Sequence, residues 1–148
     1  MGDSPWTSLS IATALVTATS GDVSHSQDDR HFSNSFGLPP KEYSSGNSRY
    51  LGQISKRGDR YLRMLLTHGA RSVLRSAEVA EGAGKKVCGV RRWALDVQSR
   101  SNHNKAACAL ANKLARICYA TLRDKEPFGE QTVRILKKVN RESFVMPA

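Results

Sequence analysis

The sequence predicts an all-α domain of about four or five helices, in which a serine-containing loop precedes a long basic amphipathic helix. Apolar side chains recur every three or four residues over residues 60–75 and again over residues 104–123, which is the pattern of packed helices. Helix-breaking glycine and prolines stand at 37–40, ahead of the basic helix. At 148 residues the chain fits one domain with a modest core.

The first forty residues predict one clear helix and one weaker helix. The clear helix ends near Thr19, because Ser20-Gly21-Asp22 is a stop signal. Phe32 and Phe36 are four residues apart and favour one face of a short second helix. Three acids of this segment resemble a metal site, but such acids more commonly cap helices or face solvent, which is the interpretation we favour. These acids are Asp22, Asp28 and Asp29.

The central stretch combines a polar turn with the most amphipathic helix of the sequence. Residues 43–50 consist largely of Ser, Gly and Asn, so we predict a turn or loop there. The packing face of the following helix holds Leu62, Leu65, Leu66, Gly69, Ala70, Val73 and Leu74. The opposite face holds Arg60, Arg63, Arg71 and Arg75.

This arginine face has two interpretations. A line of arginines is often only a solvated helix surface. Here Lys56 and Arg57 extend the line, and Asp59 is the one acid close to it in sequence. Helix-start amides and guanidinium groups together favour an anion, so we interpret the face as a site for nucleic-acid phosphates. Such contacts position a strand without reading its sequence.

The second half of the chain predicts a loop and two further helices. Residues 81–90 contain two glycines and a Lys pair, but they lack the spacing of a phosphate-binding Walker A loop. A short helix is predicted over residues 90–98 and a long one over 104–123, whose alanines allow close helix packing. Asn112 is either functional or, more commonly, a helix hydrogen-bonding residue. The long helix adds four cations to the basic surface: Lys105, Lys113, Arg116 and Arg123.

Charge and cysteine content limit the class of protein. The net charge is +10, and residues 41–148 carry 22 basic and 9 acidic side chains. Such a surface favours a polyanion, most often nucleic acid, over a merely basic soluble domain. The three cysteines show no CxxC spacing and indicate reduced thiols of a cytoplasmic protein. The apolar run at 11–16 is too short to span a membrane, so we expect no membrane partner.

Three segments together resemble a known family. YSSGN, LGQISKRGDRYLRMLLTHGARSVLR and ALANKLARICYATL are similar, in order and spacing, to the C-terminal transposase domain of the insertion-sequence 110/116/902 family. The likeness extends from about Ile11 to Leu122. It implies a bacterial DNA recombinase in which a serine before a glycine attacks a DNA strand. That serine corresponds to Ser45, which precedes Gly46, and Ser44 is the less favoured neighbour.

The resemblance also implies parts that this sequence does not contain. Family members carry an N-terminal RNase-H-like domain whose carboxylates hold Mg²⁺, use a structured guide RNA and act as oligomers. We therefore expect a truncated copy with no cofactor of its own, partnered by DNA, a guide RNA and either itself or a full-length transposase. The expected domain spans residues 1–126, with the first forty degenerate: Trp6-Thr7-Ser8 replaces a Gly-x-Gly hairpin, and HFSNSFGL is a reduced segment. Residues 127–148 are expected to be a basic, partly disordered tail.

The expected function is DNA binding with serine-mediated strand cleavage and transfer, inactive in this chain alone. Neither His31 nor His68 is well placed in sequence to take the proton of the serine, and no metal ligands are predicted. The alternative is a basic helical DNA- or RNA-binding module without catalysis. The predicted site comprises Ser45 as nucleophile and seven phosphate-binding residues: Lys56, Arg57, Arg60, Arg63, Arg71, Lys113 and Arg116.

Overall fold

The computed structural model describes residues 9–125, which form five helices and one two-stranded sheet. In chain order the elements are α1 (Leu9–Thr19), α2 (Asp29–Asn34), β1 (Pro40–Glu42), β2 (Leu51–Ile54), α3 (Arg60–Gly82), α4 (Gly89–Ser99) and α5 (His103–Asp124). The number of helices confirms the prediction. The all-α class was wrong in one respect, because residues 40–54 form a β-hairpin. Predictions for Trp6-Thr7-Ser8 and for the tail at 127–148 lie outside the described residues.

Helix α5 is the centre of the packing. It contacts α2, α3 and α4, and α1 packs against α3. Small side chains on α5 let the neighbouring helices approach closely, as the sequence predicted. Its buried residues are Ala106, Ala107, Leu110, Ala111, Leu114, Ala115, Ile117 and Tyr119. Within residues 9–125 no helix combines the length and the apolar character needed to cross a membrane.

Helix α3 has the two faces that its sequence predicts. Its buried residues are Leu62, Leu66, Ala70, Val73, Leu74 and Ala77. The carboxylate of Asp59 accepts a hydrogen bond from the Leu62 backbone N–H at 2.8 Å, so this acid caps the first turn. The acid beside the arginines is thereby committed to the helix start and does not neutralise a guanidinium group.

The segment before the hairpin is held by aromatic and ionic contacts. Phe32 and Phe36 are buried and meet edge to face, with ring centroids 4.9 Å apart. The predicted cap role is confirmed for Asp28, whose carboxylate accepts from the His31 backbone N–H at the start of α2. Asp29 instead forms an ion pair with Arg116 of α5 at 2.6 Å. This pair fixes α2 against the central helix.

The reactivity of the cysteines tests the packing of α5. Burial raises the pKa of the Cys118 thiol to about 11, so only about one part in a thousand is thiolate at pH 8. Cys88 is exposed. We expect a short pulse of iodoacetamide at pH 8 to alkylate Cys88 and to spare Cys118, as read by mass spectrometry of peptides. Equal labelling of the two residues without denaturant would contradict the packing of α5, and equal labelling in denaturant is the control.

A candidate nucleic-acid interface on the hairpin and the basic turn

The hairpin (residues 40–54) ends in a two-residue tip. Its strands are antiparallel, with Glu42 opposite Leu51 and an irregularity between Pro40 and Glu42. At the tip, Ser45 and Ser48 exchange two backbone hydrogen bonds of 3.1 Å around Gly46-Asn47. Gly46 has a φ of +56°, a conformation that glycine adopts without steric cost. Ser45 is therefore the last residue of the first arm, where its side chain is exposed.

The two adjacent serines have different surroundings. The Ser44 hydroxyl donates to Glu42 Oε1 at 2.7 Å, and Arg49 Nε donates to the same oxygen at 3.0 Å. The Ser44 hydrogen bond, followed by the Arg49 charge, lowers the pKa of the Glu42 carboxyl from its ordinary value. No group in residues 9–125 hydrogen-bonds to the Ser45 hydroxyl. Of these two serines, Ser45 is thus the one whose hydroxyl oxygen is available to an external reactant.

A short turn carries the chain from the hairpin to α3. We call residues 55–59 the basic turn, because it holds Lys56 and Arg57. Backbone hydrogen bonds and one guanidinium bind the turn and the start of α3 to residues 35–39. These bonds run from Ser55 N to Pro39 O (2.9 Å), Lys56 N to Gly37 O (3.0 Å), Asp59 N to Ser35 O (3.0 Å) and Arg63 Nη1 to Phe36 O (3.0 Å).

Two glycines permit this close approach of two backbone segments. Gly58 has a φ of +97°, and a Cβ atom there would lie 1.9 Å from the Ser35 carbonyl oxygen. Gly37 has a φ of +64°, and its Cβ atom would lie 2.1 Å from the Arg57 carbonyl oxygen. Neither position has room for a side chain, since real Cβ contacts do not occur at such distances. The basic turn therefore packs against residues 35–39 through the backbone of these two glycines.

Four of the predicted phosphate-binding residues are presented to solvent. Lys56, Arg57, Arg60 and Arg71 are exposed, and none of them forms an ion pair with another residue of 9–125. Arg60 and Arg71 are eleven residues apart, so they lie on the same side of α3, about 16 Å apart along its axis. The turn and this side of α3 form one basic surface.

The other three predicted residues have partners inside the protein. Arg63 is half-buried and donates to the backbone of Phe36. Lys113 Nζ lies 3.9 Å from the centroid of the Trp93 ring, a cation–π contact. Arg116 is half-buried in its ion pair with α2. A phosphate would have to compete with these contacts, and phosphate binding by these three residues stays a prediction.

The carboxylates of the described part do not fit a magnesium site. Among residues 9–125 no three His, Cys, Asp or Glu side chains come together as metal ligands. Glu42 is bound by Ser44 and Arg49, and Asp59 caps α3. The described residues therefore do not by themselves form a site for the Mg²⁺ that the resemblance implies.

Sequence reasoning missed the contribution of the hairpin arms to this surface. Tyr43 and Tyr50 face each other across the arms, with the Tyr43 backbone N–H donating to the Tyr50 carbonyl at 2.8 Å. Both side chains are largely exposed. The available signal was the pair Gly46-Asn47, a two-residue hairpin tip between segments that each contain a tyrosine.

The part of the chain that carries this surface matches a known protein family. The sequence profile described as "Transposase IS116/IS110/IS902 family" matches residues 8–83, which include α1, α2, the hairpin, the basic turn and α3. No solved structure matches the chain significantly. The match thus covers every exposed residue of the basic surface described above.

Curated relatives extend the similarity into α5. A "Probable family 20 transposase" of Pseudomonas aeruginosa is 42% identical over 112 residues, covering 76% of this chain and 31% of the relative. The transposase for insertion sequence element IS1328 of Yersinia enterocolitica is 38% identical over 109 residues, with coverages of 74% and 31%. The transposase for insertion sequence element IS1111A of Coxiella burnetii is 42% identical over 117 residues, with coverages of 78% and 30%. The chain spans about a third of the length of these relatives.

Proposed function

Because the chain belongs to the IS116/IS110/IS902 family of transposases, we propose that it binds DNA and supplies the serine that cleaves and transfers a strand in transposition. The observation that carries this proposal is the connection between Ser45 and the basic turn. An exposed serine hydroxyl without an internal partner stands on a hairpin whose second strand leads directly into Lys56 and Arg57. Nucleophile and phosphate-binding charge thus belong to one continuous structural unit.

The exposed cations supply the binding part of this function. No acidic side chain of residues 9–125 forms an ion pair with the four exposed cations, so their charge is available to DNA phosphates. These cations are Lys56, Arg57, Arg60 and Arg71. The rigid docking of the turn on residues 35–39 places the first two without a cost in ordering a loop on binding. Phosphate contacts of this kind position a strand and do not select its sequence.

Ser45 supplies the chemical part. Its Oγ attacks a phosphorus of the DNA backbone, so an Oγ–P bond forms and one phosphodiester P–O bond breaks. The serine proton leaves to a base, and the released DNA hydroxyl takes up a proton. Ser45 is at the tip of the hairpin, roughly 20 Å or more along the second strand from Lys56 and Arg57. These cations therefore hold phosphates that flank the attacked one, and the charge that develops on the attacked phosphoryl oxygens is expected to be stabilised by groups of the complete transposase. Glu42 is engaged by Ser44 and Arg49, so the base is expected from the carboxylate-bearing part of a complete transposase.

DNA binding is tested by removing two exposed cations. We expect Arg57→Ala together with Arg60→Ala to weaken binding to duplex DNA and to reduce the slope of log K against log salt by about two, roughly 0.9 per lost phosphate contact. Fluorescence anisotropy at several salt concentrations measures both quantities.

The resemblance also implies binding of a guide RNA and self-association, and both remain predictions.

A matched control separates this surface from the overall positive charge. Arg92 and Arg123 are also exposed, but each is paired with an acid, at 2.7 Å to Glu81 and 2.7 Å to Asp124 respectively. Arg92→Ala with Arg123→Ala changes the net charge by the same amount. We expect this pair to leave the salt slope almost unchanged. An equal fall of the slope in both double variants would mean that total charge, and not the basic turn, governs binding.

A further inference from the structure

The hairpin exposes two aromatic rings close to the serine. Tyr43 and Tyr50 have 61% and 65% of their surface accessible, and their ring centroids are 6.2 Å apart at an angle of 45°. Cross-strand aromatic pairs stabilise hairpins, which explains why the two rings are opposite each other. This pairing does not explain why both rings remain mostly exposed to solvent. Exposed aromatic surface commonly marks a binding site.

Tyr43 is held in place by a glycine on the neighbouring strand. A Cβ atom on Gly52 would lie 2.8 Å from Tyr43 Cε2, so the ring rests against the backbone of β2. One edge of the ring is therefore supported while most of its surface stays accessible. A ring that is already positioned loses little conformational freedom when a flat ligand stacks on it.

The alternation of side chains along the arms divides the hairpin into two faces. Tyr43 and Ser45 are two residues apart on one arm, so their side chains project to the same face, about 7 Å apart along the strand. Tyr50 is opposite Tyr43 and shares that face. Glu42, Ser44 and Arg49 occupy the other face, in agreement with their hydrogen bonds to one another. The open serine therefore lies on the tyrosine face.

The charge along the hairpin and the adjoining basic turn favours one kind of ligand. Residues 40–60 contain five basic and two acidic side chains, and one acid, Glu42, is paired with Arg49. The other acid, Asp59, caps α3. Exposed aromatic rings within a basic surface are the combination that binds unpaired nucleotides, with bases on the rings and phosphates on the cations. A duplex hides its base faces and does not offer this contact.

We propose that Tyr43 and Tyr50 form a stacking site for an unpaired base of the DNA strand, next to the phosphodiester that Ser45 attacks. This inference rests on the proposed function, since DNA is chosen over RNA because the nucleophile lies on the same face. Stacking of a displaced base holds the adjacent phosphate at the tip of the hairpin. The site thereby favours a strand that has already been opened.

The test uses the 148-residue chain and a single-stranded DNA oligonucleotide that carries 2-aminopurine, whose fluorescence is quenched when it stacks on an aromatic ring. We expect quenching with the unaltered chain and with Tyr43→Phe/Tyr50→Phe, which keeps both rings. Tyr43→Ala/Tyr50→Ala is expected to lose the quenching and to weaken single-strand binding about five- to hundredfold. Binding of the same sequence as a duplex is expected to change less than about twofold.

Each contrary result has a separate meaning. No quenching with the unaltered chain, or full affinity of the alanine variant for the single strand, overturns the stacking site while duplex binding keeps the proposed function intact. An equal loss for single strand and duplex overturns it as well, because stacking discriminates between the two. Quenching by an RNA oligonucleotide and not by DNA overturns the choice of DNA. Absence of any nucleic-acid binding removes the proposed function together with this inference.

Discussion

Replacing Ser45 with alanine is expected to abolish covalent attachment of DNA in a chimeric transposase. In this chimera residues 9–125 replace the matching segment of the Pseudomonas aeruginosa relative, which supplies the remaining part of the protein. An end-labelled DNA substrate that becomes joined to protein migrates as a slower band on a denaturing gel. Because alanine has no oxygen to form the Oγ–P bond, the band is expected to fall by more than about a thousandfold.

The neighbouring serine is the matched control. Ser44 differs from Ser45 by one position and donates its hydroxyl to Glu42 at 2.7 Å. Ser44→Ala is therefore expected to keep the covalent band, with DNA binding equal to that of Ser45→Ala. A band that survives Ser45→Ala but disappears in Ser44→Ala would assign the nucleophile to Ser44. A chimera that binds DNA but never forms the band would favour the alternative, a binding module without catalysis.

The helices could be predicted because their burial follows a local pattern. Helix α5 was predicted over residues 104–123 and spans His103–Asp124, and α4 was predicted over 90–98 and spans Gly89–Ser99. In both helices apolar residues recur with the helical period over two or more turns, so the pattern reports burial without knowledge of the neighbours. The end of α1 at Thr19 follows from the backbone chemistry of Ser20-Gly21, both of which adopt a positive φ.

The strands could not be predicted on the same principle. Strands β1 and β2 have three and four residues, and all of these residues are exposed or half-buried. The period of two that identifies a strand arises from burial of one face, and this hairpin has little burial to produce it. Its position depends instead on the docking of the basic turn on residues 35–39, a contact between distant parts of the sequence.

The candidate site shows the same division between local and distant information. The exposure of Lys56, Arg57 and Arg60 was predictable from a basic stretch with one local acid. The role of Arg116 was not, because its partner Asp29 is 87 residues earlier in the chain. The contact of Lys113 with the Trp93 ring of another helix was likewise not predictable, and its binding to phosphate stays a prediction. A cation can be recognised from sequence, but its partner cannot.

Replacing Gly58 with alanine is expected to cause a large loss of stability. The added Cβ would lie 1.9 Å from the Ser35 carbonyl oxygen, and the φ of +97° is one that alanine rarely adopts. Backbone strain and displacement of the basic turn together are expected to lower the free energy of unfolding by about 3 kcal/mol or more. For a domain of this size the melting temperature should fall by roughly 6–12 °C or more, as measured by circular dichroism.

Gly84→Ala isolates the contribution of the close contact. Gly84 has a φ of +70°, but a Cβ atom there would meet nothing within 4 Å. Its substitution carries only the backbone strain, about 1 kcal/mol, so the difference between the two variants measures the docking of the turn. Equal melting temperatures would show that the turn moves aside without cost. Because Lys56 and Arg57 directly precede Gly58, a displaced turn should also weaken DNA binding below the melting temperature in Gly58→Ala, whereas Gly84→Ala should bind normally.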